Sequence, residues 1–225
     1  NTSYFKASIG GYHAVKLRRY DDLINEYFGK MDSVKVPRIL NMLNTKYIIT
    51  ENDVAQLNTA ALGNAWFVHN VQYTNGPKET MDALTNFNPA QTVLVENTFK
   101  NVIQQPSSFD SSANIHLISN RHDTVTYTSV SKVEMPAVFS EVYYSEGWNA
   151  YIDGKKTDYA KVDYVLRGMM IPAGTHTIEF RFEPESFALG WKITAYSSIL
   201  ILLLCIISIF FYYKENKKRK ITVHT

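Results

Sequence analysis

From residue 114 onward, apolar and polar positions alternate with a period of two. Runs at 115–119, 124–131, 137–144, 148–152, 164–171 and 175–182 read as β-strands. Turn residues punctuate them. Asp153-Gly154 is a type I′ hairpin signal, and Pro172-Ala173-Gly174 marks another turn. In the last run His176, Ile178, Phe180 and Phe182 share one face, while Thr175, Thr177, Glu179 and Arg181 share the other. That is the pattern of a half-buried antiparallel strand. Six short strands predict an antiparallel β-sandwich, jelly-roll or immunoglobulin-like, over 114–186.

Before residue 100 the period is mixed. Leu17, Tyr20, Ile24, Tyr27 and Phe28 recur at helical spacing, predicting a helix over 12–28 that stops at Gly29. A short helix fits 37–43, with Pro37 in its first turn. The run 46–50 predicts a buried strand, 65–73 a second and 92–96 a third, with a helix over 78–87. This predicts a small α+β subdomain over 1–100. The polar stretch 101–113 reads as a linker. The fold class is α+β, with one further element at the C-terminus.

That element is the uncharged run 193–213, ITAYSSILILLLCIISIFFYY. As a helix it rises ~32 Å, enough for a hydrocarbon core of ~30 Å. With its approach it occupies 187–213. Lys214, Lys217, Lys218, Arg219 and Lys220 follow it in a basic tail, 214–225. Positive charge beside a span marks the cytoplasmic end, so residues 1 to about 190 are expected outside the plasma or inner membrane. The join at 183–186 is short, which predicts a sandwich held at the membrane surface. The chain starts at Asn1 with no basic and apolar leader. We therefore expect upstream transmembrane helices of the same protein to carry it across.

Charge narrows the partners. The net charge of the 225 residues is +2, but the tail and Lys192 account for it, and residues 1–191 carry −3. This is not the footprint of a nucleic-acid binder. The lipid bilayer is the expected partner. Cys205, the single cysteine, lies in the span and forms no intrachain disulfide. The six histidines are scattered and make no metal-spaced pair. Phosphate-binding loops, nucleophile elbows and dinucleotide fingerprints do not occur. No cofactor and no metal are expected in this segment.

Two stretches carry more chemistry. In the first, Gly10-Gly11 leads towards a helix, with Tyr12 and His13 as donors and Lys16 and Arg19 as cations. Free N–H groups at a helix start favour an anion, so Gly11, Tyr12, His13, Lys16 and Arg19 form a candidate phosphate site. The plain alternative is a helix with an ordinary basic face. The second stretch is Tyr143-Tyr144-Ser145-Glu146-Gly147-Trp148. Exposed aromatics stack on sugar rings while neighbouring polar groups bond hydroxyls. The alternative is that these rings anchor the sandwich core.

Tyr143-Tyr144, Gly147-Trp148, Ala150-Tyr151 and Asp153-Gly154-Lys155 together resemble the C-terminal region of the bacterial YfhO family of membrane proteins. So do Arg167, the run Ile171-Pro172-Ala173-Gly174 with His176, Ile178 and Phe180, and upstream Gly10-Gly11-Tyr12-His13 with Lys16. The resemblance implies a piece of a large polytopic protein related to GT-C glycosyltransferases. These move a sugar from a polyprenyl-phosphate carrier to an extracytoplasmic acceptor glycan. It also implies a catalytic carboxylate in an early loop that this segment does not contain, so no catalytic residue is carried over. Tyr143, Tyr144, Trp148 and Arg167 are the candidate glycan contacts. A membrane-anchored glycan-binding or structural module without catalysis is the alternative.

Overall fold

The computed structural model describes residues 8–10, 16–28, 35–49 and 54–222. In chain order it has α1 (Arg18–Phe28), α2 (Lys35–Met42), β1 (Tyr47–Ile49), β2 (Ala55–Leu57), β3 (Ala65–Phe67), β4 (Asn70–Thr74), α3 (Pro77–Ala83) and β5 (Thr92–Glu96). Then come β6 (Asn114–Asn120), β7 (Thr124–Ser131), β8 (Met135–Val142), β9 (Trp148–Ile152), β10 (Lys155–Thr157), β11 (Ala160–Val162), β12 (Leu166–Ile171), β13 (Gly174–Phe182) and α4 (Glu185–Thr222).

The period-two region is a sandwich, but 114–186 does not build it alone. One sheet runs β10-β9-β13-β7-β6. The other runs β3-β8-β12-β11-β5-β4, so three of its six strands come from the first 100 residues. Residues up to Phe182 form one compact unit. The stretch 101–113, expected as a linker, is tied into it. Ile103 is fully buried. The Gln105 side chain accepts the Val71 N–H and donates to the His69 carbonyl, each at 2.8 Å, standing in for a strand beside β4.

The apolar run 65–73 is two strands rather than one. β3 pairs antiparallel with β8, while β4 pairs parallel with β5 through the α3 crossover. The two edges of the six-stranded sheet are thus joined by only Val68 and His69, a reach of ~11 Å between Phe67 and Asn70. The sheet must curl. The run 46–50 also departs from expectation: among the described residues, which exclude 50, β1 pairs with β2 alone and is exposed along its length. Neither large sheet covers it. Among the described residues the first helix begins at Arg18; residues 12–15 of the expected helix lie outside the described residues, and Lys16 and Leu17 are not helical.

Alternation sets two cores. β8 and β12 are central and buried on both faces. Ala137, Phe139, Met169 and Ile171 point to the five-stranded sheet and meet Tyr127, Ile178 and Phe180. There the rings of Phe139 and Phe180 lie edge to face at 5.0 Å, and those of Tyr127 and Phe139 at 4.9 Å. Val138, Val162 and Leu166 point the other way, to Leu23 and Tyr27 of α1 and to Ile39 and Met42 of α2. The Tyr27 hydroxyl donates to the Met81 carbonyl at 2.7 Å, fixing α1 to α3.

The turn after β9 is the one its residues demand: Asp153 and Gly154 both have positive φ, 51° and 77°. Asp153 accepts from the Thr177 N–H at 2.8 Å and lies 2.6 Å from His176 Nδ1. His176 Nε2 faces the Ala173 carbonyl at 3.1 Å. Both ring nitrogens meet acceptors, so the imidazolium fits best, and its hydrogen bond to the Asp153 carboxylate raises the His176 pKa.

The second unit, from Glu183, holds α4. Its stretch Glu185–Tyr212 has 28 residues, long and apolar enough to cross a membrane. The large apolar side chains along it are exposed, from 49 % at Leu203 to 75 % at Phe187. A helix apolar on every face and uncovered by protein matches lipid as its solvent.

Candidate functional site

The end of the first stretch singled out in the sequence and the start of the second meet in one cavity of about 300 Å³. The start of α1 supplies Leu17, Arg18, Arg19 and Tyr20. The end of β8 and the chain beyond it supply Val142, Tyr143, Tyr144 and Ser145. β11 adds Lys161, and the β11–β12 turn adds Tyr164 and Val165. Apolar walls with a few converging polar groups are the usual make-up of a small-ligand site.

Each wall has a local cause. The Tyr20 hydroxyl donates to the Ile9 carbonyl at 2.7 Å, which ties residues 8–10 to α1. Arg19 makes a bidentate pair with Glu96, Nη1 to Oε1 and Nη2 to Oε2 at 3.2 Å, and lies 5.2 Å over the Tyr164 ring. Tyr164 is aimed by an unusual turn: Asp163 and Tyr164 have φ of 47° and 72°, a region side chains rarely adopt. Asp163 holds that turn. Its N–H donates to the Leu94 carbonyl at 2.9 Å, and its Oδ1 accepts the Leu94 N–H at 2.8 Å.

Lys161 points along the cavity wall. Its ammonium lies 5.8 Å over the Tyr143 ring and 5.9 Å over Phe99. Burial lowers its pKa, and the nearby Arg19 charge lowers it further. Burial likewise raises the Tyr143 phenol, with Glu146 adding to the rise. Tyr143 also stacks on Tyr159 at 5.3 Å, and Tyr159 on Phe180 at 5.5 Å. An aromatic ladder thus runs from the cavity to the inter-sheet core. Tyr144 is more open, 41 % exposed.

The other predicted residues fall elsewhere. Gly11, Tyr12 and His13 lie outside the described residues. Lys16 is exposed just before α1. Arg167 is 3 % exposed, between the sheets, with its guanidinium 4.5 Å over Trp148 and 5.0 Å over Phe180. Its Nε donates to the Val142 carbonyl at 3.2 Å, and its Nη1 has no partner. Trp148 therefore stacks on a buried cation and on Phe182, at 5.4 Å. A larger cavity of about 440 Å³, lined by Arg38, Asn41, Asn86 and Asn88 among others, holds none of these residues. Its Arg38 already donates to the Thr85 carbonyl at 2.6 Å. Among the described residues no three His, Cys, Asp or Glu side chains gather to hold a metal.

Sequence reasoning missed Lys161, Glu96 and Tyr164. Ala160-Lys161-Val162 reads as three residues of no period, and Glu96 as the polar end of a strand.

The family model for the bacterial membrane protein YfhO matches residues 26–194, about three quarters of the chain. The chain belongs to the YfhO family. The YfhO match covers Tyr143, Tyr144, Lys161 and Tyr164 of the cavity and the start of α4, while Arg18 to Tyr20 precede it. No curated protein and no solved structure matches the chain.

Proposed function

We propose that this chain is the extracytoplasmic C-terminal region and last membrane helix of a polytopic membrane glycosyltransferase. That enzyme moves a sugar from a polyprenyl-phosphate carrier to a cell-envelope glycopolymer, and the Tyr143–Tyr144 cavity is where this region contacts glycan. The observation that supports the reading is convergence: Arg19, from the stretch read for anion chemistry, and Tyr143 and Tyr144, from the stretch read for sugar chemistry over 120 residues away, line one cavity. Aromatic faces take the C–H side of a pyranose, and the cations beside them take hydroxyls or charge. Among the described residues the cavity lining carries no carboxylate, so a carboxylate acid or base for transfer is expected from outside it. The same observation favours a second reading, a glycan-binding module without catalysis.

Tyr144→Ala tests the cavity. Half-exposed and remote from the buried cores, this ring can be removed without unfolding the sandwich. The variant is expected to bind envelope glycan fragments about tenfold more weakly, the value of one stacking contact, with unchanged melting. Equal glycan binding by variant and wild type, measured by calorimetry on the full chain in nanodiscs, sinks the reading. Loss of sugar transfer in the complete protein separates the enzyme from the binding module.

Topology is part of the proposal. The basic tail supports a cytoplasmic location for residues 214–225 and an extracytoplasmic one for the sandwich. In a Cys205→Ser background, an impermeant maleimide is expected to label Lys155→Cys on intact cells and Lys218→Cys only after lysis. The reverse pattern refutes this orientation.

A further inference from the structure

The cavity's charges are unequally matched. Arg19 is neutralised by Glu96, which spends both carboxylate oxygens on it. Arg18 is exposed to solvent. Lys161 is partly buried, and among the described residues no hydrogen bond or salt bridge reaches its ammonium; it rests only against the rings of Phe99 and Tyr143. Burial and the Arg19 charge lower its pKa, while Glu96, already paired to Arg19, offsets this only in part. A partly buried cation facing a cavity whose described lining carries no carboxylate leaves a place for an anion supplied by the ligand.

Resting on the reading of the cavity as a glycan site, we infer that Lys161 determines specificity there, selecting sugars that carry an oxyanion of the phosphate-ester type. The sugar ring stacks on Tyr143 and Tyr144, and the oxyanion meets the Lys161 ammonium. Lys161 lies beside the Tyr143 ring, so one ligand reaches both. A lysine suits a phosphate ester because it acts as a point charge and needs no planar match. The Arg19–Glu96 pair supplies no net charge to the cavity.

The test uses the full chain in nanodiscs and two probes, glucose 1-phosphate and uncharged methyl glucoside. Wild type is expected to prefer the phosphate about tenfold, the scale of one charge-assisted contact. Lys161→Met is expected to erase that preference by bringing glucose 1-phosphate affinity down to that of methyl glucoside, while Lys161→Arg keeps it. A preference that survives in Lys161→Met overturns the inference. Methyl glucoside binding without any phosphate preference in wild type also overturns it, yet leaves the glycan site standing. Binding of neither probe overturns both. A third arm adds farnesyl phosphate. Competition with glucose 1-phosphate in wild type but not in Lys161→Met assigns the oxyanion to a lipid carrier, and absence of competition assigns it to the sugar-borne phosphate.

Discussion

Asp163→Asn is expected to flatten the pH dependence of stability and to yield the more stable protein at alkaline pH. Asp163 is fully buried. Its Oδ1 accepts the Leu94 N–H, but its Oδ2 has no partner. Burial pushes its pKa up from 3.8 to about 8, only partly countered by the Leu94 bond. The folded-state pKa therefore lies above the unfolded one. The stability this group contributes is full below 3.8 and is lost progressively as pH rises to about 8. One proton is involved, so the loss is about 1 kcal/mol per pH unit across that window. Asparagine keeps the acceptor and the shape and has no charge to desolvate. Urea unfolding of the full chain in detergent, followed by tryptophan fluorescence over a pH series, measures both slopes. A residual slope in the variant reports His176, whose raised pKa acts with the same sign and whose contribution disappears as pH rises through it. A wild-type slope no steeper than the variant's defeats the argument.

The elements most legible in the sequence were those whose signal is local. β5, β7 and β9 carry their own alternation or apolar run, and they form at 92–96, 124–131 and 148–152 as read. The Asp153-Gly154 turn needs positive φ at two positions, and its residues say so. The apolar helix at the C-terminus announces itself by length. What was hidden is decided by partners distant in sequence. Nothing in Ala65–Phe67 and Asn70–Thr74 marks the break at Val68-His69, because it is made by β8 on one side and β5 on the other. The polar stretch near Gln105 looks unstructured until its amide is seen replacing a strand. The run beginning at Tyr47 reads as buried because it is apolar, yet among the described residues its only strand partner is β2. Of the candidate site, the aromatic wall and Arg19 were readable as residue types. Lys161 was not, since its meaning comes from the rings and charges that surround it.

Gly168→Ala is expected to destabilise the protein by about 1–3 kcal/mol, the usual cost of overpacking a filled core. Strand propensity alone predicts the opposite, because glycine weakens a strand interior and alanine is the better residue there. The reason for the reversal is Val162. Gly168 pairs with Ala160 of β11 on one side and Val138 of β8 on the other. A Cβ on it would lie 2.7 Å from Val162 Cγ1 and 2.9 Å from Cγ2, closer than carbon atoms approach. Val162 cannot yield. It is 1 % exposed, branched at Cβ, and held between Leu166 and Val95 by strand pairing. Either β11 shifts or the valine leaves its rotamer. Truncating the obstacle relieves the clash, so the double variant Gly168→Ala, Val162→Ala is expected to lose less stability than the two single changes combined. A coupling of at least ~0.5 kcal/mol in the double-mutant cycle is the expected reading. Strict additivity places the cost of Gly168→Ala somewhere other than this contact. Because Lys161 sits beside Val162 on β11, a strand shift in Gly168→Ala also moves the cavity wall, and weaker glucose 1-phosphate binding is expected to accompany the lost stability.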